Sequence, residues 1–466
     1  MTRLRPLLFT ALLLPSCKLG PDFQLPGASG GSKWKEASAS QPTHLPDDWW
    51  RLFQDRELNR LVTRAFAANN DLAAAKSRVA TARALVGLDQ AKLFPSLDLT
   101  SSAGLSRSSQ DTTSGNLPPG ISLDLQRERY RSTFDLAYDP DLWGRNQRLT
   151  EASSAEAAAS EALLDAQRLG LASEVARQYF LLRGLDAQQA VVQDTLSSRA
   201  TALVIQTSKA DAGLTDGLAS SRANTEVQLA NNDLAAVQRQ RGSAEHALAV
   251  LCGARPADFT LSRQPATSFL PTIRPGLPAA VLHRRPDVRA AEQKLRAASA
   301  RIGVAEAAFY PNFNLSASGG FETLDVKNFL NWENRVLALG TGIAAPLLDG
   351  GKNRANYQAA RSRYDETLAT YSQTLLVALR EVEDALLDLR SLAKSHTALQ
   401  AALTSARQTH RLAQERYDKG LTSYLEVVEA DRTVLQTRLT LSQLLAQQRI
   451  TLAALAKALG GGWSGK

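Results

Sequence analysis

Apolar and polar residues along this chain alternate with two different periods. Residues 141–255 and 347–466 contain no proline and are rich in Ala, Leu, Gln, Arg and Glu, and the first stretch places apolar side chains at steps of three, four or seven. This spacing is typical of long helices packed as in a coiled coil. Gly213 and Gly420 interrupt the stretches at matching places, where each is predicted to end a long helix at a tight turn. The predicted helices are at residues 71–92, 145–212, 216–251, 287–308, 352–419 and 423–459.

The shorter period predicts four strands. Residues 97–105 and 313–321 alternate apolar with small or polar side chains, which is the period of two expected of a strand with one apolar and one polar face. Residues 130–142 and 335–348 are their predicted return strands. The predicted β-hairpins therefore lie at residues 96–142 and 312–349.

The chain contains an internal duplication. A shift of 216 positions superimposes Pro95 on Pro311, and further on a shift of 207 superimposes residues 213–215 on 420–422. A repeat this long is a duplicated structural half and not a solenoid unit. The predicted divisions are a signal peptide at 1–17, an N-terminal segment at 18–68, a first half at 69–255, a linker at 256–285, a second half at 286–460 and a tail at 461–466.

Composition indicates a folded protein whose partner is not nucleic acid. Hydrophobic residues make up 44% and charged residues 21% of the chain. The net charge of +8 is spread over interleaved acidic and basic residues. No basic block alternates with aromatic residues as it would in a nucleic-acid-binding surface.

The N-terminus predicts secretion and a lipid anchor. Arg3 and Arg5 precede an apolar run at residues 7–14, as in a secretory signal, and the run ends in a small residue followed by Cys17. Cleavage before Cys17 would leave this residue as the acylated first residue of the mature chain. Similarity to bacterial lipoproteins, with Lys18 where inner-membrane retention uses Asp, favours the outer membrane. The alternative is an ordinary signal peptide with an incidental cysteine.

Strands are the only route by which the mature chain could cross a membrane. Beyond the signal, no apolar run has the length of a membrane helix, so a spanning structure must be a closed β-barrel. Four strands cannot close a barrel, two chains give eight strands, and three chains give twelve, which can enclose a lumen. The alternative is a pair of hairpins packed on helices outside any membrane.

Several motifs in order carry a resemblance to the TolC-like outer-membrane efflux factors, particularly the OprM/NodT lipoprotein branch. The resemblance covers nearly the whole mature chain, and its single motifs are less specific than their combination. The motifs are CKLGPDF at 17–23, DWWRLFQD at 48–55, RPDVRAAE at 285–292, FYP at 309–311 and GLT at 420–422.

The resemblance implies a mainly α fold with a small membrane β part. Long coiled-coil-like helices would form a periplasmic α-barrel, and four strands per chain would enter the twelve-stranded β-barrel of a homotrimer in the outer membrane. The implied function is the exit duct of a tripartite efflux pump for small toxic compounds or antibiotics, with a periplasmic adaptor and an inner-membrane RND-type transporter as partners and no cofactor. The alternatives are a duct for type I protein secretion and a periplasmic coiled-coil structural lipoprotein.

The helix after the second glycine turn is the predicted periplasmic gate. Leu425 and Glu429 are four residues apart and share a helix face, and Arg432 is placed to pair with Glu429 or with a neighbouring chain. The related branch has a constricting Leu, an acidic residue, usually Asp, and an Arg at these motif positions. The alternative is a solvated helix pair. The equivalent residues of the first copy are Leu218, Arg222 and Thr225.

The two glycine turns are predicted adaptor-docking sites. A glycine is required by the turn itself, so the exposed leucine that follows it is the better functional candidate. The candidate residues are Gly213, Leu214, Thr215, Gly420, Leu421 and Thr422.

Catalysis is not predicted. The five histidines have no metal-binding spacing, and no serine lies in a G-x-S-x-G elbow. The sequence around Lys352 resembles the end of a phosphate-binding loop, but Pro346 and Asn353 replace the required Gly and Ser or Thr.

Overall fold

A computed structural model of the chain describes residues 18–27, 33–36, 45–109, 126–264 and 269–462. The helices of this part begin and end within one residue of the six long helices predicted, which are confirmed. Two shorter helices, α1 and α5, were not predicted. The α-helices are α1 (Arg56–Ala68), α2 (Asn70–Ala91), α3 (Arg145–Asp211), α4 (Gly217–Leu251), α5 (Pro278–Arg284), α6 (Pro286–Ala307), α7 (Lys352–Asp418) and α8 (Tyr424–Ala458). Within the described residues, none of them is both long and apolar enough to cross a membrane.

Four antiparallel strands form one sheet in the order β1-β2-β3-β4. The sheet joins the hairpins of the two halves, because β2 pairs with β3 over nine residue pairs, from Tyr130 with Thr323 to Tyr138 with Leu315. The strands are β1 (Ser96–Arg107), β2 (Gln126–Tyr138), β3 (Asn312–Thr323) and β4 (Arg335–Ala344).

The predicted ends of the return strands were wrong by four residues. Strand β2 stops at Tyr138 because Asp139 accepts a hydrogen bond from the backbone N–H of Asp141, at 2.9 Å, and Asp141 adopts a left-handed φ of 49°. Strand β4 stops at Ala344, two residues before Pro346, which has no N–H for a ladder hydrogen bond.

Side chains on the sheet separate by face. One face, here called the apolar face, carries Leu97, Leu99 and Leu105 of β1, and these face Leu136, Phe134 and Glu128 of β2 in the register. The opposite, polar face carries the intervening residues. Large apolar side chains of the first face remain exposed on the single chain: Leu97, Leu99, Leu105, Phe134, Leu315, Leu337, Leu339 and Ile343.

The chain divides into two compact units. Among the described residues, one comprises residues 18–25 with Ala80–Ala158 and Glu292–Ala369, and the other comprises the rest. Each unit contains residues of both sequence halves. The division into domains by repeat, drawn from the sequence, stays a prediction.

The second unit contains the large apolar core, and the DWWRLFQD motif lies at its centre. The rings of Trp49 and Phe53 are fully buried, and Phe53 contacts Phe180 with ring centroids 4.8 Å apart. Asp55 ends the motif and caps α1 by accepting from the backbone N–H groups of Glu57 and Leu58. Its second oxygen accepts the hydroxyl of Tyr179 at 2.7 Å. The motif therefore has a structural role, because its residues form part of the core and cap α1.

The RPD motif has a similar structural role in the second unit. Arg285 is buried and donates to Asp287 and to Glu381, each at 2.7 Å, and to the carbonyl oxygen of Ala458 at the end of α8. This guanidinium thus connects α6, α7 and the end of the chain's last helix.

In the first unit, Arg148 of α3 holds the N-terminal residues. Its guanidinium is 2% exposed and donates to the carbonyl oxygens of Leu19 and Gly20 at 2.8 and 2.9 Å. It also forms ion pairs with Asp22 at 3.1 Å and Glu151 at 3.0 Å. Five donors in a planar fork allow one arginine to hold this many acceptors. Cys17, the predicted lipid attachment site, lies outside the described residues.

Candidate gating and docking site

Both glycine turns have the same backbone hydrogen bonds. Gly213 has φ 70° and Gly420 has φ 69°, a region that disfavours residues with a Cβ. The amide of Leu214 donates to Lys209 and that of Leu421 donates to Arg416, both at 2.9 Å. Together with the glycine amides, which bond three residues back, this is a Schellman cap. The predicted helix-ending turns are confirmed.

The leucine of each turn projects into solvent. Leu214 is 75% exposed and Leu421 is 66% exposed, although apolar side chains of this size are usually buried. The following Thr215 and Thr422 are half-buried, and within the described part of the chain their hydroxyl oxygens have no hydrogen-bond partner. The two turns thus present matching apolar points, and docking at them stays a proposal.

The predicted gate residues lie on the exposed face of α8. Leu425 and Glu429 are both exposed, whereas their neighbours Val427, Val428 and Ala430 are buried. Among the residues that the structure describes, the Glu429 carboxylate is contacted only by Arg432, at 3.3 Å. A constriction would require these side chains from several copies of the chain, so the gate role also stays a proposal.

Arg432 makes its strongest contact with a residue that sequence reasoning missed. Its Nε and Nη2 donate to Oε1 of Glu226 on α4, at 3.0 and 2.5 Å. The Glu226 carboxylate is buried, and its other oxygen lies 3.0 Å from Nη1 of Arg199 on α3. Arg199 in turn donates to Asp431 at 2.8 Å. We refer to Arg199, Glu226, Asp431 and Arg432 as the ionic cluster.

The ionic cluster joins three helices around the buried side chains of Arg199 and Glu226. Glu226 is 4% exposed, and two guanidinium groups compensate the desolvation of its charge. The hydrogen bond to Glu226 is the main cause that raises the pKa of Arg432, which keeps this guanidinium charged. Burial, reinforced by the negative charge of Asp431, raises the pKa of Tyr424 at the start of α8.

A comparison of the two sequence halves could have indicated Arg199 and Glu226 as functional candidates. With the shift of 207, Arg199 corresponds to Ala406 and Glu226 corresponds to Thr433. The buried charges therefore occur where the two copies differ. Positions that have diverged between duplicated halves are the ones that the shared fold does not require.

Aromatic packing brings the ends of the two long helices together beside the cluster. The hydroxyl of Tyr417 on α7 donates to Gln206 on α3 at 2.8 Å, and the ammonium of Lys209 lies 5.0 Å from the centre of the Tyr417 ring. The ring of Tyr424 packs against Tyr417 with centroids 5.4 Å apart. These contacts hold both turns in a defined arrangement.

Across the ranges that the structure describes, no group of three or more His, Cys, Asp or Glu side chains is arranged to hold a metal ion. The conspicuous features of this region are ionic and apolar contacts between helices.

Comparison with known proteins agrees with the fold. The family model for the outer membrane efflux protein matches residues 61–254 and 277–461. The chain is 31% identical to the outer membrane protein OprJ of Pseudomonas aeruginosa, over 98% of this chain and 95% of the relative. It is 34% identical to the toluene efflux pump outer membrane protein TtgI of Pseudomonas putida, over 98% of both chains.

A solved structure of the outer-membrane channel OprN superimposes with a TM-score of 0.89, covering 96% of this chain and all of the other at 29% identity. The resemblance inferred from the sequence motifs is confirmed. The chain belongs to the outer membrane efflux protein family and, like its relatives, is an outer-membrane channel of an efflux system.

Proposed function

We propose that three copies of this chain form the exit duct of a tripartite pump, which releases small toxic compounds or antibiotics. The observation that carries the proposal is the four-stranded sheet with an exposed apolar face. Strands β1 and β4 are its edges, and within the described part of the chain each pairs on one side only. Pairing β1 of one copy with β4 of the next satisfies these edges, and three copies give twelve strands around a lumen. The apolar face then meets lipid and the polar face lines the lumen.

The ionic cluster is suited to hold the duct closed. It ties α8, which carries Leu425 and Glu429, to α3 and α4. In a trimer, three copies of Leu425 would form an apolar constriction, and three of Glu429 an acidic ring. Opening requires α8 to move, so the contacts of Arg432 must break or be exchanged. Glu226 and Arg199 join Arg432 as proposed determinants of the closed state.

The proposed partners are a periplasmic adaptor and an inner-membrane transporter of the RND type. The exposed Leu214 and Leu421 are the points where an adaptor would dock, because two equivalent apolar side chains on rigid turns suit a repeated contact. Cys17 is the proposed lipid attachment site. The chain itself is proposed to be a passage without catalytic chemistry.

The proposed cargo follows the printed names of relatives. TtgI belongs to a toluene efflux pump and ArpC to an antibiotic efflux pump. Other relatives named CusC belong to a cation efflux system. Small organic toxicants are therefore the first substrates to test, and metal cations the second.

Deletion of the gene tests the proposal. Cellular accumulation of a panel of dyes, solvents, antibiotics and metal salts is compared between the deletion strain, the strain complemented with the wild-type chain, and a strain complemented with Leu214→Asp/Leu421→Asp. Increased accumulation that only the wild-type chain reverses supports the duct. Unchanged accumulation, together with loss of a secreted protein, would replace this proposal by protein secretion.

A further inference from the structure

The polar face of the sheet carries its charges in two separated bands. Successive odd positions of β2 share this face, and its outer part holds Arg127, Arg129 and Arg131 in a row. Their partners on β1 are neutral: Ser106, Gly104 and Ser102. Strand β2 begins at this basic band. The band therefore lies at the end of the sheet remote from the last residue of α2 and the first residue of α3.

Among the described residues, a single carboxylate opposes the basic band. Glu322 of β3 accepts from Nε and Nη2 of Arg129, at 2.8 and 2.5 Å, and from Arg131 at 3.3 Å. Arg127 forms no ion pair with any residue that the structure describes. The basic band thus keeps surplus positive charge.

An acidic band lies at the other end of the same face. Asp98 of β1 and Asp135 of β2 are direct cross-strand partners, an arrangement that is unfavourable for two like charges. Thr133 donates to Asp135 at 3.2 Å. On the described strands, the remaining residues of the polar face are uncharged.

The two bands are too far apart to cancel in solution. Arg131 and Asp135, the nearest charges of the two bands, are four residues apart on β2, about 13 Å at the rise of a β-strand. The Debye length is about 10 Å at 0.1 M salt. Each band therefore acts on passing ions separately.

We propose that the basic band attracts anionic solutes at the outer end of the duct, that the acidic band attracts cationic solutes at the helix end, and that the two bands set the ion selectivity of the lumen with opposite signs. This inference rests on the proposed function, because it requires that the polar face line a conducting passage. Fixed charges along a confined, low-dielectric passage raise the local concentration of counter-ions.

Planar-bilayer recordings of the purified full-length chain test the inference. The permeability ratio of chloride to potassium is taken from the reversal potential in a KCl gradient near 0.1 M. We expect Arg127→Gln to lower this ratio by about twofold or more, and Asp98→Asn/Asp135→Asn to raise it by a similar factor. Both shifts fade near 1 M KCl, where the Debye length is about 3 Å.

Arg107→Gln is the matched control. Arg107 is the last residue of β1 at the same end of the sheet, but it pairs with Gln126 and lies on the apolar face. Its replacement removes the same charge and should leave the ratio unchanged. Equal shifts for Arg107→Gln and Arg127→Gln, or shifts of one sign for both bands, would overturn the inference.

The gate variant Arg432→Ala separates failure of this inference from failure of the proposed function. If neither the wild-type chain nor this variant conducts, the duct itself is disproved and the inference fails with it. If they conduct and the ratio does not respond to Arg127→Gln or to Asp98→Asn/Asp135→Asn, only the selectivity bands are disproved.

Discussion

Arg432 and Glu226 are 206 residues apart in the chain, and two nitrogens of the arginine donate to one oxygen of the glutamate, at 3.0 and 2.5 Å. The contact links the helices that follow the two glycine turns. These helices, α4 and α8, are equivalent in the two halves of the duplicated chain. An ion pair between them therefore restrains one half against the other.

Neutralising Glu226 should favour the open duct. We expect Glu226→Gln to weaken the closed state by about 2 kcal/mol, because the hydrogen bonds from Arg432 lose their charge assistance and the ion pair with Arg199 is lost. A change of this size increases the open population at least about tenfold. Single-channel conductance and uptake of large antibiotics measure it. Glu415→Gln is the control, because Glu415 is 55% exposed, lies 3.8 Å from Arg411 on its own helix and is not a proposed gate residue. Equal opening by both variants would contradict the assignment to Glu226.

The leucines of the glycine turns should be needed for assembly and not for conduction. We expect Leu214→Asp/Leu421→Asp to restore no efflux in the deletion strain while forming channels of normal conductance, because charge at an apolar contact prevents docking. Leu330→Asp is the control, since Leu330 is equally exposed on the loop between β3 and β4. Full efflux with both turn leucines replaced would rule out docking at these turns.

Gly303 and Gly87 are equivalent by the shift of 216 but should respond oppositely to alanine. A Cβ on Gly303 would lie 2.6 Å from the carbonyl oxygen of Leu19 and 3.0 Å from the side chain of Arg148, whereas one on Gly87 meets nothing within 4 Å. We expect Gly303→Ala to destabilise the chain by about 1–3 kcal/mol through overpacking. Gly87→Ala should be neutral or stabilise by up to about 1 kcal/mol.

The midpoint of thermal unfolding measures the stability of both glycine variants. Limited proteolysis reports on the N-terminal residues that Arg148 holds. Faster cleavage near Lys18 in Gly303→Ala alone is expected. The same behaviour in both variants would show that the N-terminal contact does not stabilise this unit.

Acid should remove a stabilising contribution of Asp287. Burial by itself raises the pKa of this carboxyl, but the hydrogen bonds and charge of Arg285 and the N–H of Val288 outweigh burial and hold the pKa below its ordinary 3.8. A lowered pKa in the folded state gives stability that is present above pH 3.8 and is lost as the pH falls through the folded value. Unfolding midpoints between about pH 2 and 5 should therefore fall less steeply in Asp287→Asn than in the wild-type chain.

Asp71→Asn is the control for this pH dependence. Asp71 is the repeat equivalent of Asp287, but it is exposed and has no ion pair with the residues that the structure describes. Its replacement should leave the acid slope as it is in the wild-type chain. An unchanged slope in Asp287→Asn as well would show that its pair with Arg285 contributes nothing to stability.

The local structure and the class of the protein follow from the amino-acid sequence alone. Periodicity predicts the first and last residues of the six long helices to within one residue, because apolar spacing, proline and glycine affect the backbone within about one helical turn. The turns at Gly213 and Gly420 were predictable for the same reason, since only glycine adopts their left-handed φ at little cost. The motifs, in their fixed order, identify the family.

Which distant residues come into contact depends on how the helices and strands pack. The pairing of β2 with β3, the contact of Arg148 with Leu19 and the burial of Glu226 between Arg199 and Arg432 all join residues far apart in the chain. Spacing rules reach side chains three or four positions away on one helix, so they identified the exposed Glu429 beside Arg432 and missed the buried Glu226. The strength of a charge pair depends on burial and geometry, and helix packing determines both.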